Sequence, residues 1–205
     1  LREKQGISWE DPSEAAVQLA AALRTEAPGD LSGWFHYPPE MSRQEREDDR
    51  AYVEGGLALF SREFGDVELL ELTSNPESWA EVGVGGGFLP YWNQYPEQYS
   101  ATFLARFSKE GEGFAKIVLS RRRGRWVLKS VHYGLPLNRP GAAERIQYVL
   151  RLLWANPERN KSPLLPAQVL VPSARSLALG SDSLGSRDIS TSKSDSGSRT
   201  VSFNI

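Results

Sequence analysis

Cysteine is absent from all 205 residues. That excludes disulfides, thiolate nucleophiles, Cys-ligated zinc and iron–sulfur clusters. It does not fix a compartment, because cytosolic proteins and exported ones built without disulfides both fit. Histidine is scarce: His36 and His132 are the only two, far apart and without a matching carboxylate set, so neither a metal nor another cofactor is expected. Charge of one sign is also lacking. The 24 basic and 26 acidic residues leave a net charge of −2, and no whole-molecule field draws the chain to nucleic acid or anionic membrane. The longest uncharged stretch of the body, Val82 to Pro96, is broken by four glycines and two prolines, so no transmembrane segment is expected. No internal repeat is visible. The first residue is Leu1, which fits either a removed signal peptide or a truncated N-terminus. The compartment stays open, with an exported location (periplasmic or extracellular) favoured over a cytoplasmic one.

What is present is one α+β domain, residues 1–155, followed by a Ser-rich tail, residues 156–205, expected to be largely irregular. Asp11-Pro12-Ser13-Glu14 supplies an N-cap, a proline at the first helical position and an early acid. Ala16, Leu19, Ala20 and Leu23 then recur at helical spacing until Pro28-Gly29. Ser42 and Glu45 form a capping-box signal. The helix they start carries Val53, Leu57, Phe60 and Phe64 on one face, and Gly65 ends it. Its first half, Arg43 to Arg50, is almost wholly charged and reads as a solvated face. The Gly55-Gly56 pair in mid-helix implies close approach of another backbone.

Beyond Gly65 the hydrophobic period falls from 3.6 to 2. Val67–Thr73 and Trp79–Val84 read as short strands; Tyr99–Ser108, Gly113–Ser120 and Trp126–Tyr133 read as longer ones. Lys109-Glu110-Gly111-Glu112 and Arg123-Gly124 supply the hairpin turns, the second suited to type I′. Gly141 to Ala155 reads as a last helix, ended by Asn156-Pro157. From Ser162 onward there are twelve serines and one aromatic, Phe203. Such a composition does little to offset its ordering entropy, although Val169–Val171 and Val201–Phe203 each have the makings of a strand.

N-terminal helices followed by an antiparallel meander, with Ile117-x-Leu119 leading through a glycine turn into Trp126-x-Leu128, resemble the nuclear transport factor 2-like (cystatin-like α+β cone) superfamily, in particular its uncharacterised bacterial members. The resemblance spans roughly Ser13 to Pro136. It implies helices packed on a curved antiparallel sheet, often with a ligand pocket or a dimer face, and no single function. The helix after the last strand and the tail depart from the minimal pattern.

With Arg123-Gly124 as the turn, strict alternation sets Arg121 opposite Trp126, Leu119 opposite Leu128, Ile117 opposite Ser130 and Ala115 opposite His132, all on one face. That face is apolar at one end and polar at the other. The five aromatics Phe88, Tyr91, Trp92, Tyr95 and Tyr99 read as a core plug, a wall for a flat apolar ligand, or a dimer face. The candidate ligand-binding residues are His132, Ser130, Tyr91, Trp92, Tyr99 and Trp126.

The enzymes of the resembled superfamily place Asp, His or Tyr inside the cone as acids and bases. Here every Asp of the body lies in helices or loops, and the three long strands put no acid on the inferred inner face, so no catalytic residue is assigned. Gly83-Val84-Gly85-Gly86-Gly87 has the glycine content of a phosphate loop, but no Lys-Ser/Thr and no helix start follow it. Arg121-Arg122-Arg123-Gly124-Arg125 gathers four guanidinium groups at a turn; it reads either as an anion site or as a solvated tip. The reading is a non-catalytic module that holds a small apolar ligand or a protein partner, with a homodimer through the sheet face as one form of it. The alternative is a small-molecule isomerase, dehydratase or hydrolase-like enzyme relying on His132.

Overall fold

The computed structural model describes residues 7–74, 78–85, 95–155 and 199–203. The elements run β1 (Ser8–Trp9), α1 (Pro12–Thr25), α2 (Pro28–Ser32), α3 (Arg43–Phe64), β2 (Val67–Thr73), β3 (Ser78–Val84), β4 (Gln98–Phe107), β5 (Gly111–Arg122), β6 (Arg125–Pro136), α4 (Ala142–Trp154) and β7 (Arg199–Phe203). Local chemistry sets the helix ends. The Asp11 side chain accepts from the Ser13 amide at the start of α1. At the start of α3 Ser42 and Glu45 bond each other's backbone reciprocally, at 2.6 and 3.2 Å, and Gly65 closes it at φ 85°. Each cap satisfies amides or carbonyls that a helix end leaves unpaired.

The fold is α+β, with helices packed on a curved, unclosed sheet of seven strands. The sheet order is β2-β4-β5-β6-β3-β7, with β1 paired to the start of β6. All pairings are antiparallel except β3 with β7. The β5–β6 turn has Arg123 at φ 47° and Gly124 at φ 80°, the positive pair that type I′ requires. Tyr91 and Trp92 lie outside the described residues, as does Val169–Val171, whereas Arg199–Phe203 forms an edge strand.

One face of the sheet receives the helices. Phe60 and Phe64 of α3 pack on Phe107 and Tyr133, with ring centroids 4.8 Å apart for Phe60–Tyr133 and for Phe107–Tyr133, and 5.2 Å for Phe64–Phe107. Gly56 explains its place in mid-helix: a Cβ there would drive into the Val84 side chain of β3 and lie 3.4 Å from Leu153 of α4. Arg145 ties α4 to the β4–β5 turn and to α3, bonding Glu110 at 2.5 Å and Glu63 at 3.2 Å. Arg139 holds the same Glu110 at 2.9 Å.

The β5–β6 register departs from strict alternation. Arg121 faces Trp126 and Leu119 faces Leu128, but a bulge between Val118 and Leu119 then sets Val118 against Ser130, Ile117 against Val131, Lys116 against His132 and Ala115 against Tyr133. The expected pairings of Ile117 with Ser130 and Ala115 with His132 are therefore corrected. β6 carries one extra residue, Lys129, and one extra residue reverses the facing of every side chain beyond it. Gly85, at φ 95°, sits beside the bulge, where a Cβ would lie 2.6 Å from the Lys129 carbonyl oxygen.

Two outcomes follow from this packing. Gly56→Ala gains about 1 kcal/mol of helix propensity but forces α3 off β3 at a cost of about 1–3 kcal/mol; urea denaturation should show net destabilisation, and a gain would mean that α3 shifts freely. Trp126, 9% exposed and edge-on to Tyr99 at 6.2 Å, closes the core beside α1. Trp126→Ala should cost about 3–5 kcal/mol in the same measurement.

Candidate functional site

The bulge divides the sequence-derived site residues between two faces. Tyr99 and Trp126 stay on the helix side, where the Tyr99 hydroxyl lies 3.4 Å from Ser13 Oγ of α1 and both rings pack with the hydrophobic core. Ser130 and His132 emerge on the opposite face. The structure thus brings Tyr99 to Trp126 and Ser130 to His132, and keeps the two pairs apart by the thickness of the sheet.

On that second face the register places Glu81 across from Gly134 and Gly83 across from His132 on one side of β6, with Lys116 across from His132 on the other. Ser130 Oγ lies 2.9 Å from His132 Nε2. His132 Nδ1 lies 3.6 Å from Glu81 Oε1, beyond hydrogen-bond reach. Lys116 Nζ makes a direct ion pair with that same Glu81 oxygen. Glu81 is fully buried, His132 is 7% exposed and Ser130 6%. The imidazole has room because Gly83 has no side chain: a Cβ there would lie 2.5 Å from His132 Nδ1. Trp79 and Phe114 flank the cluster edge to face at 5.3 Å, and the Lys116 ammonium sits 5.4 Å from the Trp79 ring centre.

Electrostatics sets the state of the ring. Burial, and then the charges of Lys116 and Lys129, lower the His132 pKa to about 3, so it is neutral at pH 7. The Ser130 hydroxyl and His132 Nε2 share one hydrogen bond, whose direction follows the tautomer of the neutral ring. Glu81 and Lys116 are the members that sequence alternation missed. The signal for Glu81 was its place in Trp79-Ala80-Glu81-Val82, a strand otherwise apolar at both alternating sets.

The second histidine is a separate cluster. Arg122 Nη1 donates to His36 Nε2 at 2.6 Å, and burial followed by the Arg122 charge lowers the His36 pKa to about 4. At the same hairpin tip Arg121 pairs with Glu97 at 3.0 Å, Arg122 reaches Glu40 at 3.8 Å and Arg125 reaches Glu10 at 3.1 Å. Three of the four guanidinium groups thus face carboxylates, which offsets the charge an anion site there would use. Among the described residues no group of three or more His, Cys, Asp or Glu side chains is arranged to hold a metal ion.

These environments set an acid-side stability profile. A histidine whose folded pKa lies below its unfolded value near 6.5 contributes stability that is complete above that value and is lost as pH falls toward the folded one. His132 therefore costs stability from about pH 6.5 toward 3, and His36 from about 6.5 toward 4. Asp49 acts in the opposite sense: burial raises its carboxyl to about 6, so folding is penalised above that pH and relieved below it. Stability should fall between pH 6 and 4.5, by up to about 1.4 kcal/mol per pH unit for each net proton. Denaturation at several pH values should give a shallower fall for His132→Gln and a steeper one for Asp49→Asn. Compared with known proteins, this chain matches no family model, no curated protein and no solved structure.

Proposed function

We propose that the chain is a non-catalytic binding module, and that it holds a small, largely apolar ligand at the cluster on the sheet face turned away from the helices. The observation that carries this reading is the Ser130–His132 pair, seated over Gly83 and flanked by Trp79 and Phe114. Apolar walls with a few convergent polar groups are how small-ligand sites are built. A neutral imidazole and a hydroxyl can orient a ligand's polar end. They make a poor proton-transfer pair, because a ring with its pKa near 3 is a weak base at neutral pH. Glu81 is engaged by Lys116 and stands 3.6 Å from the imidazole. The resemblance to nuclear transport factor 2-like proteins supports the same use of the fold. Leu104, Phe114 and Val118, half-buried on this face, favour a homodimer through the sheet as its competing use.

One observation favours an enzyme instead. Ser130, His132 and Glu81 stand in the order of a hydroxyl nucleophile, its base and an orienting acid. A thermal-shift screen against small apolar molecules separates the readings, run on wild type, His132→Gln and Gly83→Ala, the last displacing the imidazole without removing it. A hit whose stabilisation drops at least about tenfold in affinity in both variants, a change of 1.4 kcal/mol, supports the binding site. A hit insensitive to both moves the site elsewhere. Turnover of activated esters, or labelling of Ser130 by a fluorophosphonate, lost in His132→Gln, would establish the enzyme.

A further inference from the structure

The two edges of the sheet are built differently. β2, at one edge, carries Glu68 and Glu71, both exposed. Charges of that kind discourage pairing with another strand. β3 has no such defence. Its sequence, Ser78-Trp79-Ala80-Glu81-Val82-Gly83-Val84, contains no lysine and no proline, and its one charge, Glu81, is ion-paired within the sheet to Lys116. Left unpaired, β3 would present a row of open amides and carbonyls beside apolar residues. In the structure Arg199–Phe203 lies along that edge, parallel, with Ser78 against Arg199, Ala80 against Val201, Glu81 against Ser202 and Val82 against Phe203. Among the described elements β3 is the one sheet neighbour of β7. Residues 155–198, a Ser-rich stretch, separate it from α4 in sequence.

We propose that the outer edge of β3 is a docking site for an extended segment running parallel to it, and that Arg199–Phe203 is its tethered, displaceable ligand and not a part of the core. The register defines the pattern that the site reads. Apolar residues pair with Ala80 and Val82, and small hydroxyl residues pair with Trp79 and Glu81. Strand addition of this kind takes its affinity from main-chain bonds and its selectivity from alternate side chains. A ligand carried on the same chain acts at an effective concentration of up to order millimolar. The chain's own segment therefore keeps the edge closed against weaker competitors and yields only to a tighter one.

Hydrogen exchange on the full chain tests this. The double variant Val201→Pro, Ser202→Pro removes a ladder donor from the middle of β7, because successive amides of a strand point to opposite edges and one of the two must face β3, and it leaves the rest of the chain intact. The alternate amides of Ser78–Val84 that do not face β6 should lose protection by at least about tenfold, the equivalent of 1.4 kcal/mol, while β4, β5 and β6 keep theirs. A synthetic peptide of residues 199–205, added to the variant at up to millimolar concentration, should restore that protection. A peptide with Val201 and Phe203 replaced by aspartate should not. Unchanged β3 protection in the variant would show that the segment does not close the edge. Loss spreading through β4–β6 would make β7 part of the core. Failure of the peptide to restore protection, or equal restoration by the aspartate peptide, would remove the docking site.

Discussion

A single extra residue, Lys129, divides this molecule into its two chemical halves. Before it, β6 turns Trp126 and Leu128 toward the helices; after it, Val131, Tyr133 and Leu135 take over that role. Without the bulge, Ser130 and His132 would point into the aromatic core around Phe60 and Phe107, where burying them without partners would cost several kcal/mol. With it they meet Glu81 and Lys116 on the other face. Gly85 makes room for the displaced Lys129 carbonyl. The bulge is thus the condition both for a continuous apolar core and for a polar cluster in the same sheet.

The buried charge on the second face is answered there. Glu81 has no exposed surface and is paired with Lys116, since an uncompensated carboxylate at that depth would be unaffordable to a fold of ordinary stability. Near the surface the same rule works through the arginines. Arg145 joins Glu63 at the end of α3 to Glu110 in the β4–β5 turn, so α4 is fixed to both the helical layer and the sheet. The guanidinium groups of the β5–β6 tip likewise lock the turn to Glu10, Glu40 and Glu97 from three other stretches of chain. Those contacts give a cluster of positive charge a role in assembly.

The two histidines show how environment selects chemistry. His36 and His132 share a residue type and both lose basicity through burial, but their neighbours differ. His36 accepts from a guanidinium at the hairpin tip, whereas His132 shares a hydrogen bond with the hydroxyl of Ser130 on its own strand, with a carboxylate across the ring. Trp79 and Phe114 flank the His132 cluster, and the functional reading rests there.

Several parts of this architecture were determined by sequence alone. The capping box at Ser42 and Glu45, the Arg123-Gly124 turn, the α3 face of Val53, Leu57, Phe60 and Phe64, and the five strands β2 to β6 depend on neighbours a few residues apart, and local rules reach that far. The register flip left a trace as well: apolar residues at 126 and 128 and then at 131, 133 and 135 change parity at Lys129-Ser130. Strict alternation from the turn overrode that trace, and so placed Ser130 and His132 on the wrong face. Tertiary structure decided the rest. That Glu81 and Lys116, 35 positions apart, meet beside His132 depends on β3 crossing to pair with β6 and not with β2. Nothing local to either residue encodes which strands become neighbours, because strand order follows from how the helices cover one face of the whole sheet.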